Sequence, residues 1–173
     1  MAKIRSITIK GYSGYGTDDE AFQDIVRLTA DSISYHYQPQ IPSELNPVRK
    51  WKYQTNSAIY KMRFDAVEAM IPLVLDSAKL ENCTDIGGIE FHLIFSDKTE
   101  FKETYWVPGE RFADCFRLIK SMVPECEYIP AVLLTEEDVE EDDQEEDDKE
   151  EEEEEEEESF SEPLAESGEE NFG

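Results

Sequence analysis

Apolar and polar residues alternate along several short stretches of the chain, and this alternation is the main structural signal. Residues 33–38 are the clearest case, because Ile33, Tyr35 and Tyr37 are separated by polar residues. A period of two is typical of a strand with one buried face. The same reasoning predicts six strands, at about residues 3–10, 22–29, 33–38, 50–55, 89–96 and 99–107.

Two other stretches have the periodicity of amphipathic helices. The first runs from about residue 58 to residue 75, after the capping residue Ser57, and Pro72 is expected to kink or end it. The second runs from about residue 109 to residue 123. The apolar stripe predicted for the first helix is Ile59, Met62, Ala66, Ala69, Met70 and Leu73. The stripe predicted for the second is Phe112, Cys115, Phe116 and Ile119.

These elements predict an α+β fold. Alternating strands indicate a sheet with one solvated face, and two helices suffice to cover the other. We therefore expect a two-layer sandwich, with a mainly antiparallel sheet of about six strands and both helices on one face. The side chains expected beneath the helices are Tyr35, Tyr37, Trp51, Tyr53, Phe91, Leu93, Phe95, Phe101 and Tyr105. Residues 128–134 are expected to pack back onto the same body.

The charge of the chain divides it into two parts. Its 43 acidic and 16 basic side chains give a net charge of −27, and residues 136–173 alone carry −23 of it. Residues 1–135 are nearly balanced at −4. Like charges repel along a helix and this segment has little to bury. We therefore expect a globular domain over 1–135 and a disordered acidic tail over 136–173.

Cellular location is predicted from what the sequence contains. The chain begins with alternating residues rather than the apolar stretch of a signal peptide, and no apolar run approaches the ~20 residues that span a bilayer. Its three cysteines are widely spaced, as in a reducing compartment. These features predict a cytoplasmic protein that does not bind membranes. No cofactor is predicted, and Cys115 is expected to be a buried structural thiol.

Signals for catalysis or metal binding are weak. The glycine-rich loop around Ser13 does not match a nucleophile elbow or a phosphate-binding loop, so no catalytic residue is predicted. His36 and His92 could approach each other if their strands were neighbours, but no third ligand is evident, so no metal site is predicted. A pocket that uses Tyr12, Tyr15, His36 and His92 would be needed for an enzyme or a small-ligand binder.

The solvated face of the sheet is the candidate binding surface. Alternation places on it a set of cations and histidines together with one aromatic residue. These residues are Arg27, His36, Lys50, Lys52, His92, Lys102 and Trp106. Such a face can be merely solvated, can bind a protein or peptide, or can combine cations and stacking aromatics for nucleic acid. The overall negative charge makes nucleic acid an improbable partner.

The acidic tail allows further hypotheses. Phe160 and Phe172 stand as single apolar residues among acids near its end and are candidate anchors. The tail could solubilise the protein, bind a basic partner, or contact the basic sheet face of its own chain. Our main hypothesis is a small interaction protein, a monomer or weak dimer, that binds a protein partner through the sheet face, the tail or both. The alternatives are a nucleic-acid mimic that inhibits a basic protein, and the small-ligand binder or enzyme described above.

Overall fold

The computed structural model describes residues 2–13, 17, 21–79, 87–125, 127–135 and 138. The chain divides into two compact units, Met1–Thr135 and Glu136–Gly173, and the account below concerns the first. The acidic segment 136–173, with Phe160 and Phe172, lies outside the described residues apart from Asp138, and so does Tyr15. The predicted tail and its anchors therefore stay predictions.

Six antiparallel strands form one sheet. They are β1 (Ile4–Tyr12), β2 (Phe22–Thr29), β3 (Ser32–Pro39), β4 (Arg49–Gln54), β5 (Ile89–Phe95) and β6 (Glu100–Tyr105). Their order across the sheet is β4-β3-β2-β1-β5-β6, and every neighbouring pair is antiparallel. The predicted α+β class, with its six-stranded antiparallel sheet and two helices, is confirmed.

Both helices lie against the same face of the sheet. Helix α1 spans Ala58–Ala78, and a 3₁₀ turn at Gly109–Phe112 leads into α2, Ala113–Lys120. The ring of Tyr60 on α1 contacts Tyr53 on β4, and the ring of Phe112 contacts Phe91 on β5. The guanidinium of Arg63 donates a hydrogen bond to the carbonyl oxygen of Ser121, which ties α1 to the end of α2.

The core between the two layers is aliphatic and aromatic. Its completely buried side chains include Ile7, Ile9, Val26, Leu28 and Ile33 from the sheet, and Phe64, Phe112, Phe116 and Ile119 from the helix layer. Cys115 is buried as well, as expected, and burial raises the pKa of its thiol to about 12. This thiol therefore stays protonated and inert at neutral pH.

The segment 128–134 packs onto the body. The indole N–H of Trp51 donates to the carbonyl oxygen of Tyr128 at 3.1 Å, and the N–H of Val132 donates to the Asp24 carboxylate at 2.7 Å. Val132 and Leu133 are buried in a short 3₁₀ turn, Ala131–Leu133. These contacts close the core at the end of β1 and the start of β2.

Helix α1 corrects two predictions. Its buried residues are Tyr60, Phe64, Val67, Ile71, Leu75 and Ala78, so the predicted stripe was wrong except at Met70, which is partly buried against the core. Ile59, Met62 and Leu73 face solvent because the helix is apolar on two sides and periodicity does not say which side is covered. The helix also continues past Pro72 to Ala78, since Pro72 lies on its exposed surface.

Other differences arise at the margins of the sheet. Tyr53 was expected in the core, but it is partly exposed because β4 is an edge strand. Phe95 and Phe101 are only partly buried, because a cavity of about 650 Å³ opens beside them under the C-terminal half of α1. The second helix is shorter than predicted and begins as a 3₁₀ turn.

Candidate functional site: the open face of the sheet

The face opposite the helices carries the predicted binding residues. Strand register aligns one residue from each strand into a single row that crosses all six strands. In order from β4 to β6, the row is Lys52, Ser34, Arg27, Thr8, His92 and Lys102. All six residues are polar, and no helix of the described chain packs on this side.

A second row runs parallel to the first and supplies the charge pairing of the face. It consists of Lys50, His36, Ile25, Lys10, Glu90 and Thr104. Glu90 is buried although it lies on the solvated face. Its two carboxylate oxygens lie 3.3 Å from the Lys10 ammonium and 3.2 Å from the Lys102 ammonium. The charges of Lys10 and Lys102 are therefore compensated within the sheet.

The cations on the other half of the face are not compensated in this way. Lys50 and Lys52 on β4 and Arg27 on β2 are exposed, and within the described ranges no carboxylate lies within ion-pair distance of them. Arg27 uses its Nε to donate to the Ser6 hydroxyl at 3.3 Å, so its two terminal nitrogens remain available. We call Arg27, Lys50 and Lys52 the cationic patch.

A cleft adjoins the patch. It has a volume of about 570 Å³ and is lined by residues of β1, β2 and the β2–β3 turn, including Arg5, Ser6, Arg27 and Asp31. Arg5 is not among the predicted residues, because a register shift between Ile4 and Ser6 displaces it from simple alternation. The three-residue spacing of Ile4 and Ile7, both buried, is the sequence signal that could have revealed this bulge.

The two histidines lie far apart. His36 is on β3 and His92 on β5, and strands β2 and β1 separate them, which places them about 14 Å apart across the sheet, with a further offset of two residues along the strands. His92 Nε2 instead makes a 2.9 Å hydrogen bond with a Glu100 carboxylate oxygen. The idea that the histidines approach each other is therefore wrong. Among the described residues no group of three or more His, Cys, Asp or Glu side chains could hold a metal ion.

Trp106 lies at the far end of the face. It follows β6 directly and is 50% exposed. Its ring packs over Gly88, where an added Cβ would come within 3.0 Å of the indole. Gly88 therefore leaves room for this ring. Tyr12 lines a separate cavity of about 200 Å³ that neither histidine lines.

All seven predicted residues thus share one face, but they form two groups rather than one site. Arg27, Lys50 and Lys52 form the cationic patch, with His36 between Ile25 and Lys50 in the register. Lys102 and His92 are engaged with acids, and Trp106 is separate from both. Neither helix of the described part of the chain is long and apolar enough to cross a bilayer.

The chain was compared with protein families, curated proteins and solved structures. No protein family, no curated protein and no solved structure matches this chain.

Proposed function

We propose that this protein is a non-enzymatic binding protein whose open sheet face receives an acidic segment of a protein partner. The observation that carries the proposal is the pair of mainly polar rows across six strands, with an uncompensated cationic patch at one end. Helices cover the opposite face and use its apolar residues for the core. The open face is therefore the broad surface that a partner could cover without disturbing the fold.

The spacing of the patch suits an extended acidic peptide. Lys50 and Lys52 are two residues apart on one strand, so their Cα atoms are about 6.6 Å apart. Arg27 is two strands away from Lys52 in the same row, about 9.6 Å across the sheet. Acidic residues at alternate positions of an extended peptide are also about 6.6 Å apart, which matches the spacing of Lys50 and Lys52. Each exposed ion pair contributes only about 0.2–1 kcal/mol, so several must form together.

Trp106 supplies an apolar contact for the same partner. Tryptophan is enriched among the residues that dominate protein interfaces, and this ring is half exposed directly after β6. Ile25 and Ile94 are partly buried on the same face. A partner segment with acids near one end and an apolar residue near the other would match both parts of the face.

The acidic segment 136–173 offers a second mode of binding, which its composition supports. Its net charge of −23 would attract a basic partner, and this mode does not require the sheet face. The two modes call for partners of opposite charge, so they can be separated by experiment.

The test uses the full-length protein and two fluorescent peptides, one rich in Glu and one rich in Lys. Binding is measured by anisotropy at low salt. The double variant Arg27→Gln/Lys52→Gln removes two charges from the patch, and the matched control Lys61→Gln/Arg117→Gln removes two charges from the helix layer. We expect the patch variant to weaken binding of the Glu-rich peptide about tenfold, and the control to change it less than twofold.

Two results would contradict the role of the sheet face. One is equal binding of the Glu-rich peptide by the patch variant and the control. The other is binding of the Lys-rich peptide alone, unaffected by either variant, which would leave the acidic segment as the binding element.

A further inference from the structure

The outer surface of helix α1 carries an apolar stripe that nothing in the described structure covers. Ile59 is 59% exposed, Met62 64% and Leu73 72%, and Ala66 and Ala69 between them are exposed as well. The buried side of α1 is completely separate, since it is formed by other residues such as Phe64 and Ile71. Exposed apolar side chains aligned along one side of a helix are the kind of surface that a second helix can cover.

The spacing of the stripe is that of a helix-packing seam. Its five positions are separated by three, four, three and four residues, the heptad pattern that keeps one face of a helix against another helix. None of the five residues is charged, although the chain as a whole carries −27. The 21 residues of α1 make a rod of about 31 Å, and the stripe covers most of its length.

We propose that the occupant of this stripe is a second copy of the chain, with its α1 antiparallel to the first. The last four positions, Met62, Ala66, Ala69 and Leu73, are large, small, small and large, and this order is the same from either end. A twofold axis midway between Ala66 and Ala69 places Met62 opposite Leu73 of the second copy and Ala66 opposite Ala69. These four positions therefore complement their copies, as an isologous interface requires, and Ile59 lies outside the symmetrical set.

The alanines permit the close approach that such a pair needs. Interaxial distances between helices range from about 8 to 10 Å according to the side chains at the contact, and two central alanine layers give the short end of that range. The stripe from Ile59 to Leu73 is about 21 Å long, so a strip one helix wide covers about 200 Å² on each copy. Stable interfaces bury about 800 Å² per partner, so this dimer is weak and requires a high protein concentration.

Sedimentation equilibrium of the full-length protein from 10 µM to 1 mM, in 0.3 M salt, tests for the dimer. The average mass of the wild type should rise from 20.0 kDa towards twice that value. The variant Ala66→Arg should remain monomeric, although it lowers the net negative charge and with it the general repulsion. The control Gln54→Arg makes the same charge change at an exposed position on β4 and should dimerise like the wild type.

A mixing experiment tests the register. Met62→Lys and Leu73→Glu should each be monomeric alone. In an equimolar mixture, the introduced charges face each other in one layer and the wild-type Met62 and Leu73 face each other in the other, so a heterodimer should form. A wild type that stays monomeric at 1 mM, an Ala66→Arg variant that dimerises normally, or a mixture that stays monomeric would each overturn the proposal. Circular dichroism checks that each variant is folded.

Discussion

Asp24 is the residue whose environment is least expected from its chemistry. It lies on the helix-facing side of β2, fully buried beside Gly11, and accepts a 2.7 Å hydrogen bond from the N–H of Val132. Burial raises the pKa of its carboxyl group to about 6, although the hydrogen bond from Val132 opposes the shift. The alternation of β2 placed Asp24 on this side, but the segment 131–133 that covers it is a long-range contact, which periodicity does not reveal.

We predict that Asp24 makes the protein less stable as the pH rises from about 4 to about 6. In this window the folded protein retains the proton on Asp24 while the unfolded chain, with a pKa of 3.8, has released it. The free energy of unfolding therefore falls, by about 3 kcal/mol in total from this group. Asp24→Asn keeps an oxygen for Val132 and removes the titration. We compare the free energy of unfolding of the variant with that of the wild type at each pH. This difference should shift in favour of the variant by about 3 kcal/mol between pH 3.5 and pH 7.

Denaturant unfolding of the wild type and of Asp24→Asn at several pH values gives the measurement. The many exposed acids titrate in both proteins, so they cancel in the difference. If the free energies of unfolding of the two proteins changed in parallel between pH 3.5 and pH 7, the pKa of Asp24 would not be raised in the folded protein.

At the scale of elements, the strands were more predictable than the helices. Alternation fixes which side of a strand is buried as soon as one side is apolar, and β3 follows it from Ile33 to Tyr37. Helix α1 has apolar residues on two sides, so periodicity gives its helical character but not its orientation. The side that meets the sheet is the one with Tyr60 and Phe64, because these large rings fill the core. The other apolar side, with Ile59, Met62 and Leu73, was wrongly predicted to be buried, and it is the side that forms the proposed dimer.

Pro72 provides a prediction for α1. It stands inside the helix, lacks an N–H for the carbonyl oxygen of Glu68, and lies on the exposed surface. Replacing it with alanine restores one backbone hydrogen bond and removes the clash of the ring with the preceding turn. We expect Pro72→Ala to raise the free energy of unfolding by about 1–3 kcal/mol.

Thermal and urea unfolding at a low micromolar concentration, where we expect the proposed dimer to be dissociated, measures this change. Leu73→Ala is the control, because it changes the neighbouring exposed side chain without changing the backbone and should leave stability within about 0.5 kcal/mol. If Pro72→Ala were no more stable than the wild type, the prediction would be wrong, because Pro72 would then not lower the free energy of unfolding.

At the scale of the whole molecule, the sequence predicted the fold class and the shared face of the seven site residues. It did not predict how they are grouped, since grouping depends on strand order. With β2 and β1 between β3 and β5, His36 and His92 are separated and Glu90 lies between Lys10 and Lys102. Strand order is set by packing across the entire sheet, whereas alternation is a property of each strand alone.

The last prediction concerns salt, which should act in opposite directions on the two proposed surfaces. The cationic patch attracts acidic peptides by charge, so raising the salt concentration from 20 to 300 mM should weaken binding of the Glu-rich peptide at least tenfold.

The α1 stripe is uncharged, and the force opposing dimerisation is repulsion between two chains of −27 each. The screening length falls from roughly 20 Å to below 8 Å over this range, so dimerisation should strengthen. Anisotropy and sedimentation on one preparation measure both effects. Weakening of the dimer with salt would mean that ion pairs hold it rather than Met62, Leu73 and the alanines, and a salt-independent peptide affinity would remove the electrostatic basis of the patch.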